Sequence, residues 1–240
     1  MHRLKTAVVA LMPLCICLAG CNGGNNRAPT SPAQETARAQ LESQQKIAAQ
    51  TAETYHQMDN GALLQKLVEQ STAQKEPFNS LAYRELKTRK DVNPDSLVSL
   101  VRQMKNGNAL LPLLLLRKFA REIYLGLPAE LRAAVLTDAL QNSKVFNTWG
   151  LPHAYLEDAS KAMLESGKSA YPALRRMLSE TRPAPVFGSQ EFMEYQRFKY
   201  RLCDYALFFL EEMQGNANFV MPVSAADRDS LIKEMLKSKP

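Results

Sequence analysis

Hydrophobic positions recur at the three- and four-residue spacing of an amphipathic helix along most of the chain. Clear examples are Leu97, Leu100, Val101 and Met104, and a longer stripe of the same spacing runs over 192–213. No segment shows the sustained alternation of a strand, or a hairpin turn between β-branched runs. The pattern therefore predicts an all-α fold.

Turn and cap residues divide this pattern into separate helices. Asn93-Pro94 is typical of a helix start, with a cap followed by proline in the first turn. Asn60 is a possible cap for the first core helix, and Ser224 with Asp227 resembles a capping box. The predicted helices are 62–68, 81–86, 94–104, 110–125, 128–140, 153–165, 170–178, 192–213 and 225–236.

Two sequence patterns that each occur twice in the chain indicate that the helices are stacked. Residues 107–114 and 167–174 both read Gly-x-x-apolar-apolar-Pro-apolar-Leu, so that glycine ends one helix and proline lies early in the next. A second repeated pattern relates residues 155–163 to 202–210, and its two copies are separated by a different number of residues. Residues 159–178 resemble a HEAT-type repeat, which implies stacked antiparallel helix pairs, an α-solenoid. Because the two spacings are unequal, an irregular α-bundle is the alternative.

The N-terminus has the order of a secretory signal. Arg3 and Lys5 precede an uncharged apolar run over 6–18, which is too short to cross a hydrocarbon core of about 30 Å as a helix. Leu18-Ala19-Gly20-Cys21 resembles the lipobox of bacterial lipoproteins. The resemblance implies cleavage before Cys21 and attachment of lipid to its sulfur and amine. An ordinary signal peptide and an uncleaved anchor are the alternatives.

The same resemblance predicts a location and a domain plan. In the lipoproteins of Gram-negative bacteria, an aspartate directly after the lipidated cysteine favours retention in the inner membrane. Because this chain has Asn22 there, the resemblance implies the outer membrane, with the domain facing the periplasm. Residues 22–34 are typical of a flexible linker, and 35–57 favour either an exposed helix or a disordered stalk. We therefore expect a signal peptide at 1–20, a lipidated tether at 21–57 and a helical domain at 58–240.

Composition narrows the class of protein. The chain has 240 residues, 45% of them apolar, which excludes a wholly disordered chain. Its mean hydropathy of −0.29 excludes a polytopic membrane protein. The formal net charge of +6 falls to +4 without Arg3 and Lys5, which is too small to indicate nucleic acid as a partner. Cys203 is the one thiol expected to remain, and we interpret it as a small core residue.

The search for catalytic and metal-binding motifs is mostly negative. His56 and His153 lie far apart and show no paired-ligand spacing, so neither a metal nor a cofactor is expected. The best small-site candidate is the group Trp149, His153 and Tyr155, in which the imidazole is a potential base and the indole a stacking surface. The alternative interpretation is that these residues simply pack a loop and a helix start.

The basic and aromatic stretch that ends the long stripe is a second candidate surface. Arg197, Tyr200 and Arg201 lie close together in the sequence, although solvated charges on an amphipathic helix are the alternative. We expect a binding or scaffold module that contacts the membrane through Cys21 and an envelope protein through its helical domain. The competing hypothesis is a periplasmic enzyme that acts on an envelope glycan or peptide near His153.

Overall fold

The computed structural model describes residues 32–73, 76–104, 106–216 and 218–237, so the predicted signal peptide and Cys21 lie outside the described residues. Apart from one very small sheet, the regular structure in these ranges is helical, which confirms the all-α fold. The chain divides into two units, 1–47 and 48–240, the second of which contains the hydrophobic core. Of the two alternatives for 35–57, the structure has the helix, and none of its side chains is buried.

Short turns join many of the helices, longer segments at 178–188 and 214–224 precede α10 and α12, and one hairpin interrupts the series. Short 3-10 turns lie at Pro77–Asn79, Asn106–Ala109 and Gly167–Ala170. The hairpin pairs β1 (Gly150–Leu151) with β2 (Tyr155–Leu156) in antiparallel register. The α-helices are α1 Pro32–Gln57, α2 Asn60–Thr72, α3 Leu81–Leu86, α4 Pro94–Gln103, α5 Leu110–Phe119, α6 Arg121–Gly126, α7 Ala129–Asn142, α8 Asp158–Ser166, α9 Tyr171–Met177, α10 Ser189–Phe198, α11 Leu202–Met213 and α12 Ala225–Lys237.

The helix starts predicted at 81, 94, 110 and 225 are confirmed, and the cap of the first core helix is shifted by one residue. The Asn93 side chain accepts a hydrogen bond of 2.9 Å from the Asp95 amide, and Pro94 is the first residue of α4. The α3 bounds agree with the prediction. The cap of α2 is Asp59 rather than Asn60, since its carboxylate accepts from the Ala62 amide at 2.8 Å.

The core is built around α5 and α11, the two helices with the longest runs of buried positions. Every side chain from Leu110 to Leu116 is buried, as is every side chain from Leu202 to Leu210. Cys203 is 1% exposed, and burial raises the pKa of its thiol to about 12. A thiol held neutral in this way is a poor nucleophile, which confirms its interpretation as a core residue.

Two predicted long helices are wrong because each is broken in the middle. The 110–125 segment is interrupted at Ala120, whose backbone angles lie outside the helical region and which separates α5 from α6. The 192–213 segment is interrupted at Lys199, which adopts the left-handed conformation with φ of 49°. There the extended backbone pairs with an upstream segment, as the Ala184 amide donates to the Tyr200 carbonyl at 2.8 Å.

The prediction that a helix begins at His153 is also wrong. Residues 150–156 form the hairpin, and α8 starts only at Asp158. Gly150 has φ of +78°, and a Cβ atom there would lie 2.5 Å from the Tyr155 carbonyl oxygen, so the hairpin requires glycine at this position. The buried Tyr205 hydroxyl donates to the Gly150 carbonyl at 2.6 Å and fixes the hairpin on the core.

Candidate functional site

His153 lies in the turn of the hairpin and joins it to α10. Its Nδ1 is 2.8 Å from the Tyr200 hydroxyl, and its Nε2 is 3.0 Å from a Glu194 carboxylate oxygen. The ring also stacks on Phe198 with a centroid distance of 3.9 Å. A neutral imidazole protonated on Nε2 satisfies both contacts, because it accepts from the tyrosine and donates to the carboxylate.

The electrostatics of this cluster favour the neutral form of the imidazole. Burial lowers the pKa of His153, and the nearby Arg197 acts in the same direction, whereas Glu194 opposes both. Each ring nitrogen already has a protein partner, so neither is free to take a proton from a substrate. The geometry therefore does not favour the hypothesis of a general base at His153.

Trp149 and Tyr200 do not lie on an accessible surface, and their place in the candidate binding surface has to be corrected. Each is 0% exposed. Trp149 packs edge-to-face on Phe209, and Tyr200 makes the same kind of contact with Tyr205. A partner that docks on this structure cannot touch these two rings.

The other predicted surface residues are divided between solvent and the interior. Tyr155 is 37% exposed, and Arg197 is exposed on α10. Arg201 is part of an ion-pair network, in which its guanidinium is 2.9 Å from Asp204 and 2.7 Å from Asp229. The structure therefore brings the predicted residues to the hairpin, α10 and the start of α11, but most of their polar atoms already serve internal contacts.

The His153 contacts make the stability of the protein dependent on pH. Because folding lowers the pKa of the imidazole below its ordinary value of about 6.5, the unfolded chain binds the proton more readily. The contribution of His153 to the free energy of unfolding is therefore fully present above about pH 6.5. This contribution is lost as the pH falls through the lower pKa that the imidazole has in the folded state. We expect this acid-side loss, measured by urea unfolding at about pH 7.5 and 5, to be smaller in His153→Gln. An equal loss in both proteins would contradict the expectation.

A groove between α7 and α9 is the concave feature with the most regular lining. The α7–α9 groove has a volume of about 450 Å³. The lining positions on each side follow the helical spacing 0, 3, 4, 7, 8 and 11. One wall lies on α7, and the other extends from the 3-10 turn before α9 to Glu180, beyond the end of that helix. The lining residues are Glu130, Ala133, Ala134, Thr137, Asp138 and Gln141 on one side and Ser169, Pro172, Ala173, Arg176, Met177 and Glu180 on the other.

The two walls run in the same direction, and α8 connects them. At one end the Ser169 hydroxyl donates to the Glu130 carboxylate at 3.3 Å. At the other end the Arg182 guanidinium donates to the Gln141 carbonyl at 2.6 Å. Helix α8 packs against α7, and α9 packs against α11. Alternate helices therefore lie parallel in this part of the fold.

Charge on the α7–α9 groove is mainly negative. Glu130, Asp138 and Glu180 contribute carboxylates, against one guanidinium, that of Arg176. The Asp138 carboxylate also accepts from the Gly107 amide at 2.7 Å, which fixes it in place. The groove has one signal in the sequence, the small residues at helical spacing on α7, which are Ala133, Ala134 and Thr137.

Neither a metal site nor a membrane-spanning helix is found in the described part of the chain. Within the ranges that the structure describes, no group of three or more histidine, cysteine or carboxylate side chains is placed to hold a metal ion. None of the described helices combines the length and the apolar character needed to cross a membrane. The chain matches no protein-family model, no curated protein and no solved structure.

Proposed function

We propose that this chain is a lipid-anchored cell-envelope protein whose helical domain binds a partner protein in the α7–α9 groove. The anchor is Cys21, and the location is the outer membrane with the domain facing the periplasm. The lipobox resemblance of Leu18-Ala19-Gly20-Cys21 supports the anchor. The parallel course of α7 and α9 on either side of α8 supports a HEAT-like stack, in which such surfaces bind extended partners.

The observation that carries the binding role is the regular lining of the groove. Both parallel walls include small side chains, Ala134 on α7 and Ala173 on α9, which leave room for a third helix between the walls. Ala134 and Ala173 are placed to admit an apolar stripe of such a helix. The excess of carboxylates favours a partner helix flanked by lysine or arginine. The proposed partner is therefore a basic amphipathic helix of an envelope protein.

Site-specific crosslinking in cells tests this proposal. A photoreactive residue at Gln141, an exposed position on the rim, is expected to form one defined adduct. The same residue at Lys233, exposed on α12 and outside the groove, serves as the position control. Adding Ala134→Arg fills the groove, and we expect it to reduce the adduct roughly tenfold or more. Glu180→Lys is expected to weaken it through charge reversal.

The matched charge control is Glu122→Lys, which reverses an exposed carboxylate on α6 away from the groove. It is expected to leave the Gln141 adduct unchanged. Equal labelling from Gln141 and Lys233, or an adduct that survives Ala134→Arg at full strength, would contradict the proposal. Circular dichroism of each variant checks that the helical fold is retained.

A further inference from the structure

A second cavity, on a different part of the domain, combines exposed aromatic rings with charges of both signs. This aromatic cleft has a volume of about 530 Å³ and lies between α3, the 3-10 turn at Pro77–Asn79, the start of α8 at 157–158 and the loops at 147–148 and 187. The volume is in the range of pockets that hold small ligands. None of its lining residues belongs to the α7–α9 groove.

Two phenylalanine rings at the cleft are exposed although their backbones are fixed. Phe78 is 43% exposed and Phe187 is 54% exposed. The Asn147 carboxamide binds the backbone of Phe187 twice, as it donates to the carbonyl and accepts from the amide at 2.8 Å. Phe78 follows the buried Pro77 in the 3-10 turn. Exposed rings on a fixed backbone at a solvent boundary are available to cover an apolar group of a ligand.

The charged walls of the cleft are of opposite sign. Arg84 lies on α3 and Lys87 directly follows that helix, whereas Glu157 and Asp158 lie at the start of α8. Lys87 and Asp158 pair with each other at 3.0 Å. Arg84 and Glu157 are exposed, and neither forms an ion pair or a side-chain hydrogen bond within the described part of the chain. One cation and one carboxylate are thus left for a ligand.

We propose that the aromatic cleft binds short peptides that carry both a free amine and a free carboxylate. Arg84 pairs with the ligand carboxylate, Glu157 pairs with its amine, and an apolar side chain of the peptide lies against Phe78 and Phe187. A purely anionic ligand would be repelled by the carboxylates of Glu157 and Asp158. A purely cationic ligand would be repelled by the side chains of Arg84 and Lys87. A ligand with both charges satisfies both walls, since charge-assisted hydrogen bonds are the strong polar contacts of such sites.

Calorimetric titration of the full-length protein with the tripeptide Ala-Phe-Ala tests the proposal. Binding is expected for the peptide with both ends free, and each blocked form, N-acetylated or C-amidated, is expected to bind about tenfold or more weakly. Arg84→Gln should weaken the free peptide while leaving the C-amidated peptide unaffected. Glu157→Gln should weaken the free peptide while leaving the N-acetylated peptide unaffected. This crossed pattern identifies which wall contacts which end.

Controls separate this proposal from the proposed function. Arg102→Gln removes an exposed cation on α4 outside the cleft and should not change peptide binding. Ala134→Arg, which fills the α7–α9 groove, should also leave it unchanged. Phe187→Ala alters an exposed ring and is expected to weaken all forms of the peptide together. No binding of Ala-Phe-Ala or of its dipeptide and tetrapeptide homologues at millimolar concentration would overturn the proposal, as would binding that is insensitive to Arg84→Gln and Glu157→Gln.

Discussion

Replacing Asp204 by alanine is expected to lower the free energy of unfolding by about 3–5 kcal/mol, because it leaves a buried guanidinium without its counter-ion. Asp204 and Arg228 are both 0% exposed, and their charged atoms are 3.0 Å apart. The same carboxylate accepts from the Arg201 amide at 2.8 Å and so caps the start of α11. The substitution therefore removes an ion pair and a helix cap together.

Among the described residues, Asp204 is the one carboxylate that pairs with Arg228, and the other hydrogen bonds of this guanidinium go to backbone carbonyls. One terminal nitrogen donates to Pro222 at 2.9 Å and Val223 at 2.7 Å, and the other donates to Phe198 at 2.9 Å. These contacts join α12 and the loop before it to the end of α10. Loss of Asp204 leaves this cation buried in the same place, where desolvation is costly.

The matched control is Asp229→Ala. Asp229 also pairs with Arg201, at 2.7 Å, but its side chain is 47% exposed, so we expect a loss of less than about 1 kcal/mol. Urea unfolding followed by the fluorescence of Trp149, the single tryptophan of the chain, measures both variants. The double variant Asp204→Leu with Arg228→Met should recover much of the loss. Similar losses for the two aspartates would contradict the account.

This network was not predictable from the sequence, although local signals placed many helices. Asn93-Pro94 acts through contacts within one turn, so that its role is visible in the sequence. The pairing of Asp204 with Arg228 depends on how α12 returns to α11, which no local spacing encodes. The same holds for His153 and Glu194, which are 41 positions apart and meet only because the hairpin packs on α10.

The break between α10 and α11 shows how tertiary contacts override a continuous pattern. The stripe over 192–213 has helical spacing throughout, and nothing in it demands an interruption. The interruption arises because Arg201 forms a bridge with Pro183, and the Leu202 amide donates to the Arg182 carbonyl at 2.9 Å. An extended upstream segment thus takes the backbone partners that a continuous helix would have used. Periodicity detects which residues face the core, but not which backbone groups find partners elsewhere.

The largest effect on location is expected from Cys21→Ser. The proposed anchor depends on the cysteine sulfur, because serine offers no thiolate for thioether formation. Two acyl chains suffice for stable anchoring, at about 0.8 kcal/mol for each buried methylene, so loss of lipid removes most of the membrane affinity. We expect the variant to incorporate no palmitate and to lose the globomycin-sensitive cleavage step. The lipid-dependent membrane fraction should fall correspondingly when cells are fractionated.

Cys17→Ser is the matched control, since it removes a neighbouring cysteine within the apolar run and leaves the four lipobox residues intact. This variant is expected to incorporate palmitate, to be cleaved and to fractionate with membranes in the same way as the wild-type protein. The comparison separates a requirement for the acceptor at position 21 from a general effect of cysteine loss on export. If Cys21→Ser still yields a protein of mature size that fractionates with membranes, the anchor is wrong. The α7–α9 groove would then have to be tested as a binding surface of a protein that is not lipid-anchored.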